Sequence, residues 1–340
     1  MLKMILSIFI FCLVLFFYLH IQFHLKVCND LEILELENES KGILEEICDL
    51  RQPVIFNLED EFFNPFRGIN KSFIKEKFYS FDVKIRENNY SIEIDSNTDL
   101  YFPLQLQLGI KLFDQIKSKN YYSENNIDFL KETGILKVFQ KNDFYFRPPL
   151  VSNCNYDLMF GSEDSFTPFR YNINYRNYFI VSEGKAKLKL SPPKYIKDLN
   201  LQKDYENYEF RSPINPWNPQ EKYLNDFNKI KCLEIVLTPG KCFFIPAYWI
   251  YSFQFEKDTS ICCLYYNTLM NNITNIPEIA MYTLQNTNIE HKIIKNYLNS
   301  NSNSLINKKD DCCLNKIEEK EKKKINNKIN SENNKEIINI

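Results

Sequence analysis

Between Tyr178 and Tyr266 the chain is cut into short apolar segments by prolines, glycines and polar turns, and this punctuation constrains the fold more than any other feature. After Gly184, Lys185-Ala186-Lys187-Leu188-Lys189-Leu190 alternates cleanly and stops at Pro192-Pro193. A period of two marks a strand with one face buried. Tyr178–Val181 is apolar on both faces. Cys232–Leu237 and Cys242–Pro246 flank Thr238-Pro239-Gly240-Lys241, which reads as a hairpin turn. Trp249–Phe255 and Ile261–Tyr266 continue the pattern as a meander. Short strands joined by polar turns favour a barrel or double-sheet roll over a doubly wound fold.

The flanks add helices and further strands. Gly42–Leu50 reads as a helix leading into a strand at Pro53–Phe56, and Phe81–Arg86 and Ser91–Asp95 alternate as strands. Pro103 opens a helix with Leu106, Ile110 and Phe113 on one face. Pro277–Leu298 reads as helical. Hydrophobic residues make up 44% of the 340, with 28 Phe and 21 Tyr, enough to fill a large core. From Asn299 large apolar residues become scarce, and 299–340 reads as a disordered polar tail whose charge run Glu318–Lys324 is solvated.

Residues 4–19, MILSIFIFCLVLFFYL, are apolar apart from Ser7. Extended to Phe23 the run has roughly 20 residues, about 30 Å as a helix, the thickness of a bilayer core. Tyr18, His20 and His24 stand where an interfacial belt would lie. No small-x-small cleavage site follows, so a permanent anchor is preferred to a cleaved signal or a buried helix. The chain is thus expected to divide into an anchor (1–26), an acidic linker (27–40), a folded domain with C-terminal helices (41–298) and the tail (299–340), as a single-pass membrane protein reached through residues 4–23. Lys3 and Lys26 flank the run on either side and leave its orientation open. Four sequons, at Asn38, Asn70, Asn89 and Asn272, decide nothing in so asparagine-rich a chain.

Composition removes several chemistries. Lys and Arg total 42 against 44 Asp and Glu, a net charge of -2, so no basic excess points to nucleic acid. No GxGxxG or GxxxxGK[ST] phosphate loop is present. The 10 cysteines include no CxxC, and the adjacent pairs Cys262–Cys263 and Cys312–Cys313 are badly spaced to chelate one ion. The three histidines are His20, His24 and His291, so residues 25–290 contain no imidazole to act as a metal ligand or base.

Four stretches, in order, carry a family resemblance. Arg51-Gln52-Pro53-Val54-Ile55-Phe56 comes first. Thr167-Pro168-Phe169-Arg170-Tyr171-Asn172 follows, with Asn177 and the Gly184–Pro193 strand after it. Ser212-Pro213-Ile214-Asn215-Pro216-Trp217 is third, and Pro239-Gly240-Lys241-Cys242-Phe243-Phe244-Ile245-Pro246-Ala247-Tyr248-Trp249-Ile250-Tyr251 is fourth. Together they resemble the cupin-like/JmjC family of iron- and 2-oxoglutarate-dependent oxygenases, in which the second reads T-P-x-H-x-D and the last P-G-D-x-x-x-x-P-x-x-W-x-H. The resemblance implies a mostly β fold: a double-stranded β-helix, the cupin or jelly-roll barrel, with flanking helices.

The family's metal ligands do not carry over. Its H-x-D positions read Arg170 and Asn172, and its distal histidine reads Tyr251. A guanidinium has no lone pair to donate, and an amide and a phenol are poor ligands for Fe(II). The lysine that in the family pairs 2-oxoglutarate falls at Ala186, with Lys185, Lys187 and Lys189 on the opposite strand face. Thr167 and Asn177 match residues that hydrogen-bond the oxoacid, each with an ordinary reading as a turn or backbone-bonding residue. Trp217 and Trp249 read as core residues or as ligand-stacking ones.

The expected function is therefore a non-catalytic binding or scaffolding protein, with no metal and no cofactor. Its ligand positions are Thr167, Asn177, Arg170, Tyr251 and Trp249, and its partner is a protein or a small anionic ligand. Arg170 stands in for the metal's charge, pairing with a buried carboxylate or an anion, or else lies on the surface. The alternative is a working oxygenase with Fe(II) and 2-oxoglutarate, its metal held by Asp157, Glu163 or Asp164. A lumenal transferase and a Ser or Cys hydrolase are weaker readings. Related folds dimerise through C-terminal helices, and Pro277–Leu298 could serve a homodimer.

Overall fold

The computed structural model describes residues 2–37, 39–87, 101–115 and 121–288. The chain divides into two units, Met1–Tyr282 and Thr283–Ile340; of the second, only 283–288 are described, and they are helical. Ser91–Asp95, Asn38, Asn89, His291, Cys312–Cys313, Glu318–Lys324 and the segment from 289 onward lie outside the described residues.

In chain order the first unit runs α1 (Leu2–Leu25), β1 (Leu34–Leu36), α2 (Lys41–Asp49), β2 (Val54–Asn57), α3 (Asp60–Arg67), α4 (Lys71–Lys77), β3 (Asp82–Glu87), β4 (Phe102–Gln105), α5 (Leu106–Gln115) and β5 (Tyr121–Ser123). It continues with α6 (Ile127–Glu132), α7 (Leu136–Asn142), β6 (Val151–Gly161), β7 (Arg170–Tyr171), β8 (Arg176–Glu183), β9 (Ala186–Ser191), β10 (Gln202–Asp204) and β11 (Glu209–Arg211). It ends with α8 (Leu224–Phe227), β12 (Leu233–Leu237), β13 (Lys241–Phe244), β14 (Ile250–Phe255), β15 (Ser260–Thr268) and α9 (Leu269–Thr274), then helical residues 276–282.

Two sheets face each other. One has nine strands in the order β1-β2-β13-β8-β15-β6-β5-β3-β4, the other six in the order β10-β11-β7-β14-β9-β12. Between them lie Phe179, Val181, Leu188, Leu190, Phe243 and Phe253, drawn from both sheets. The outer face of the nine-stranded sheet carries Tyr178, Ile180, Phe244 and Leu264, packed with Leu44, Phe66 and Phe129 of the helices. Tyr178–Val181 is apolar on both faces because its strand is covered on both sides. In β9 the alternation has its usual cause: Ala186, Leu188 and Leu190 are fully buried while Lys187 and Lys189 are only partly so. Adjacent Cys262 and Cys263 point to opposite faces and join different cores, so they cannot bind one ion together.

Several expectations are corrected. The turn before β13 is real, with Gly240 at φ +89° and Lys241 N–H donating to Thr238 O at 3.1 Å. It does not make a hairpin: β12 pairs with β9 in one sheet, while β13 pairs with β2 and β8 in the other. β14 and β15 likewise part between the sheets, so there is no meander. A turn signal reports chain reversal, not the sheet each arm joins. Pro103 lies within β4 opposite Lys84, and the helix starts at Leu106, because an edge strand tolerates a proline that gives no N–H to the ladder. Within the expected linker, Leu34–Leu36 forms β1, parallel to β2.

A further finding concerns His24, read above as part of an interfacial belt. The α1 helix is long and apolar enough to cross a membrane, and none of its most apolar window is buried. Its last turn nevertheless packs on the fold. His24 is buried, with Nε2 3.3 Å from Thr268 Oγ1 and its ring 5.3 Å from that of Tyr175. The Arg51 guanidinium sits 5.1 Å from the Phe23 ring and 4.8 Å from the Tyr175 ring. One imidazole therefore does reach the folded unit, at the junction with α1.

Candidate functional site

A cavity of about 560 Å³ opens at one end of the roll. Arg170, Asn172 and Tyr251 all line it. They converge because β7 is a two-residue strand pinned between β11 and β14: Arg170 lies opposite Arg211 on one side and Tyr251 on the other. The guanidinium carbon of Arg170 stands 5.9 Å from the Tyr251 ring centroid. Asn172, two residues on, donates Nδ2–H to Asn177 Oδ1 at 3.2 Å.

Arg170 belongs to a buried ionic network. Its Nη1 donates to Glu124 Oε1 at 2.9 Å and to Glu209 Oε1 at 3.3 Å, and its Nη2 donates to Glu124 Oε2. Arg86 Nη1 donates to the Glu209 carboxylate at 2.9 and 3.0 Å. The Tyr101 hydroxyl lies 2.6 Å from Glu124 Oε1 and 2.8 Å from Glu209 Oε1, donating to one at a time, and accepts from Arg86 at 3.1 Å. Two cations and two anions thus tie β3, the turn after β5, β7 and β11 together. Arg170 Nε is left without a hydrogen-bond partner among the described residues.

Burial pushes the Glu209 carboxyl up, but the guanidiniums of Arg86 and then Arg170 outweigh it and hold Glu209 down to about 2. Burial alone would pull Arg170 down, yet Glu124 drives it well above the ordinary arginine range. Tyr251 is pushed up by burial, so it stays a neutral phenol.

Asp157 forms another part of the wall. It accepts the backbone N–H groups of Asn125 and Asn126 at 2.7 Å each and of Leu158 at 2.8 Å. Those bonds fix the turn that carries Glu124, where Asn125 takes φ +59°. Burial nevertheless lifts Asp157 to about 7. Around these groups the lining is amides and phenols, among them Asn153, Asn155, Asn267, Tyr156, Tyr208 and Tyr265.

Thr167, Asn177 and Trp249 do not line the cavity. Thr167 is buried, accepting Phe253 N–H on Oγ1 at 2.9 Å and the Ser252 hydroxyl on its carbonyl at 2.6 Å. Asn177 is buried and donates to Ile245 O at 2.9 Å. Trp249 is fully buried in the core and donates to Arg51 O at 3.2 Å. Trp217 bonds Ser252 Oγ at 2.9 Å and lies under Lys189. No lysine of β9 faces inward.

Glu163 and Asp164 are exposed in a separate hollow beside Lys71 and Lys257, away from Asp157. Among the described residues no three His, Cys, Asp or Glu side chains group so as to hold a metal ion. Of the sequons, Asn70 caps α4 by accepting Phe73 N–H at 2.8 Å, and Asn272 donates to Ser152 Oγ at 2.9 Å on the cavity rim.

The sequence model of the cupin-like domain matches residues 59–272, well over half of the chain and all of β3 to β15. The chain belongs to the cupin-like domain family. A search of curated proteins returns no match. The cupin-like assignment accords with the two-sheet roll. Glu124, Glu209, Arg86 and Tyr101 escaped the sequence reading, since no local pattern marks a buried acid. The available signal was indirect: an arginine set between Phe169 and Tyr171 needs a carboxylate if it is buried.

Proposed function

We propose that this cupin-like protein is a membrane-anchored, non-catalytic binding module with no iron centre where the family's oxygenases hold one. The observation that carries this is Arg170. It stands at the family's first-histidine position, its charge already matched by Glu124 and Glu209. A fixed guanidinium there repels Fe(II) and offers it no lone pair. Asn172 and Tyr251 supply an amide and a neutral phenol, and Ala186 replaces the lysine that would pair 2-oxoglutarate. These residues do not fit Fe(II) or the oxoacid.

The same network argues against a small anion as ligand, since Arg170 has no unbalanced charge to give it. Amide and phenol groups donate and accept hydrogen bonds at once, which suits a neutral, hydrogen-bonding ligand such as a protein segment. Elemental analysis of the purified full chain after iron loading tests the reading: sub-stoichiometric iron is expected. One tightly held iron per chain, lost when Arg170, Asn172 or Tyr251 is changed, overturns it. So does iron-dependent succinate formation abolished by Asp157→Asn.

A further inference from the structure

The end of the fold from which α1 leaves carries three outward-facing leucines. Leu150 is 90% exposed, Leu269 62% and Leu50 55%. Each adjoins a residue at the α1 junction. Leu50 precedes Arg51, whose guanidinium lies over Phe23. Leu269 follows Thr268, which bonds His24. Leu150 precedes Val151, whose cross-strand partner is Thr268.

Leu150 is the most telling of the three. It follows Pro148-Pro149 at a loop tip and takes φ +55°, a conformation that costs a side chain with a Cβ. In water nothing offsets that strain, because a leucine left exposed forfeits the gain of burial. A bilayer supplies the missing term. The last turn of α1 is fixed to the fold through His24 and Phe23, so if α1 leaves the bilayer at that turn these leucines stand beside the membrane surface.

We infer that this leucine-bearing face is a membrane-docking surface: Leu50, Leu150 and Leu269 enter the interfacial layer near the exit of α1 and seat the domain on the bilayer. The inference rests on α1 being a membrane anchor and goes beyond it, since an anchored domain could equally swing free on a tether.

The test uses the full chain in phosphatidylcholine vesicles with brominated acyl chains. Single tryptophans are introduced by Leu150→Trp and Leu269→Trp, by Phe16→Trp within α1, and by Val236→Trp on the edge strand β12. Trp217 and Trp249 give a background common to all. The expected result is strong quenching of Phe16→Trp, Leu150→Trp and Leu269→Trp, with Val236→Trp unquenched. Quenching of Phe16→Trp with both leucine sites behaving like Val236→Trp overturns the docking surface and leaves the anchor standing. No quenching of Phe16→Trp overturns both.

Discussion

Arg170 and Glu124 form a pair whose cost of rupture should be large. Both side chains are more than nine-tenths buried, at 8% and 2% exposure. Removing one partner strands the other's charge away from water, typically a loss of about 3–5 kcal/mol. Arg170→Met is expected to lose that much in urea unfolding, and Arg170→Met with Glu124→Leu to recover a large part of it. A loss under about 1 kcal/mol would mean that water screens the network.

Two neighbouring acids give opposite pH signatures. Glu209 is held at about 2 against an ordinary 4.5, so its contribution is present above 4.5 and is lost as pH falls toward 2. Asp157 is lifted from 3.8 to about 7. Between those values the folded state binds the extra proton, so its contribution is full below 3.8 and is lost as pH rises through about 7. The stability difference between wild type and Asp157→Asn should therefore shift against wild type from pH 4 to pH 7 and level off above. A flat difference across that range would mean that the three backbone N–H groups keep Asp157 ionised throughout.

Among the elements, the turn between β8 and β9 is a tight constraint. Gly184 has φ +72°, and a Cβ there would lie 2.7 Å from Thr259 Cα and 2.8 Å from Thr259 N. Both atoms are backbone and cannot give way by a rotamer change. Gly184→Ala should cost at least about 1–2 kcal/mol from backbone conformation alone, with the clash in addition, read as a lowered Tm. The residues around Gly184 announce a turn, but only the closeness of the loop between β14 and β15 makes glycine indispensable. The same distinction explains β12 and β13: their apolar runs and the intervening Pro-Gly were legible, while their separation into two sheets depends on pairing with β9 and β8.

For the whole molecule, the junction of α1 with the fold matters most. His24 packs on Tyr175 and Phe23 on Arg51, so the last turn of α1 is built into the domain. If α1 is the anchor proposed here, the protein recovered from membranes should retain residues 1–25 by mass spectrometry and resist carbonate extraction. A mature chain starting beyond Leu25 would mark α1 as a cleaved signal. Deleting α1 should also uncover Arg51 and Tyr175 and lower the Tm of the remaining chain.

The sequence by itself determined the class of the fold, because period-two alternation and proline or glycine punctuation are local and survive without knowledge of pairing. Short motifs also led to the expectation that Arg170, Asn172 and Tyr251 share one site, and all three line the cavity. Only the tertiary structure decided which acids meet Arg170, for Glu124 and Glu209 arrive from β-strand neighbourhoods far apart in the chain. Only it seated His24 on the domain, and only it withdrew Thr167, Asn177 and Trp249 from the cavity by burying them, with a side-chain hydrogen bond of each to the backbone. Local sequence carries conformational preference; the partners that neutralise a charge or satisfy a polar atom are chosen by packing at long range.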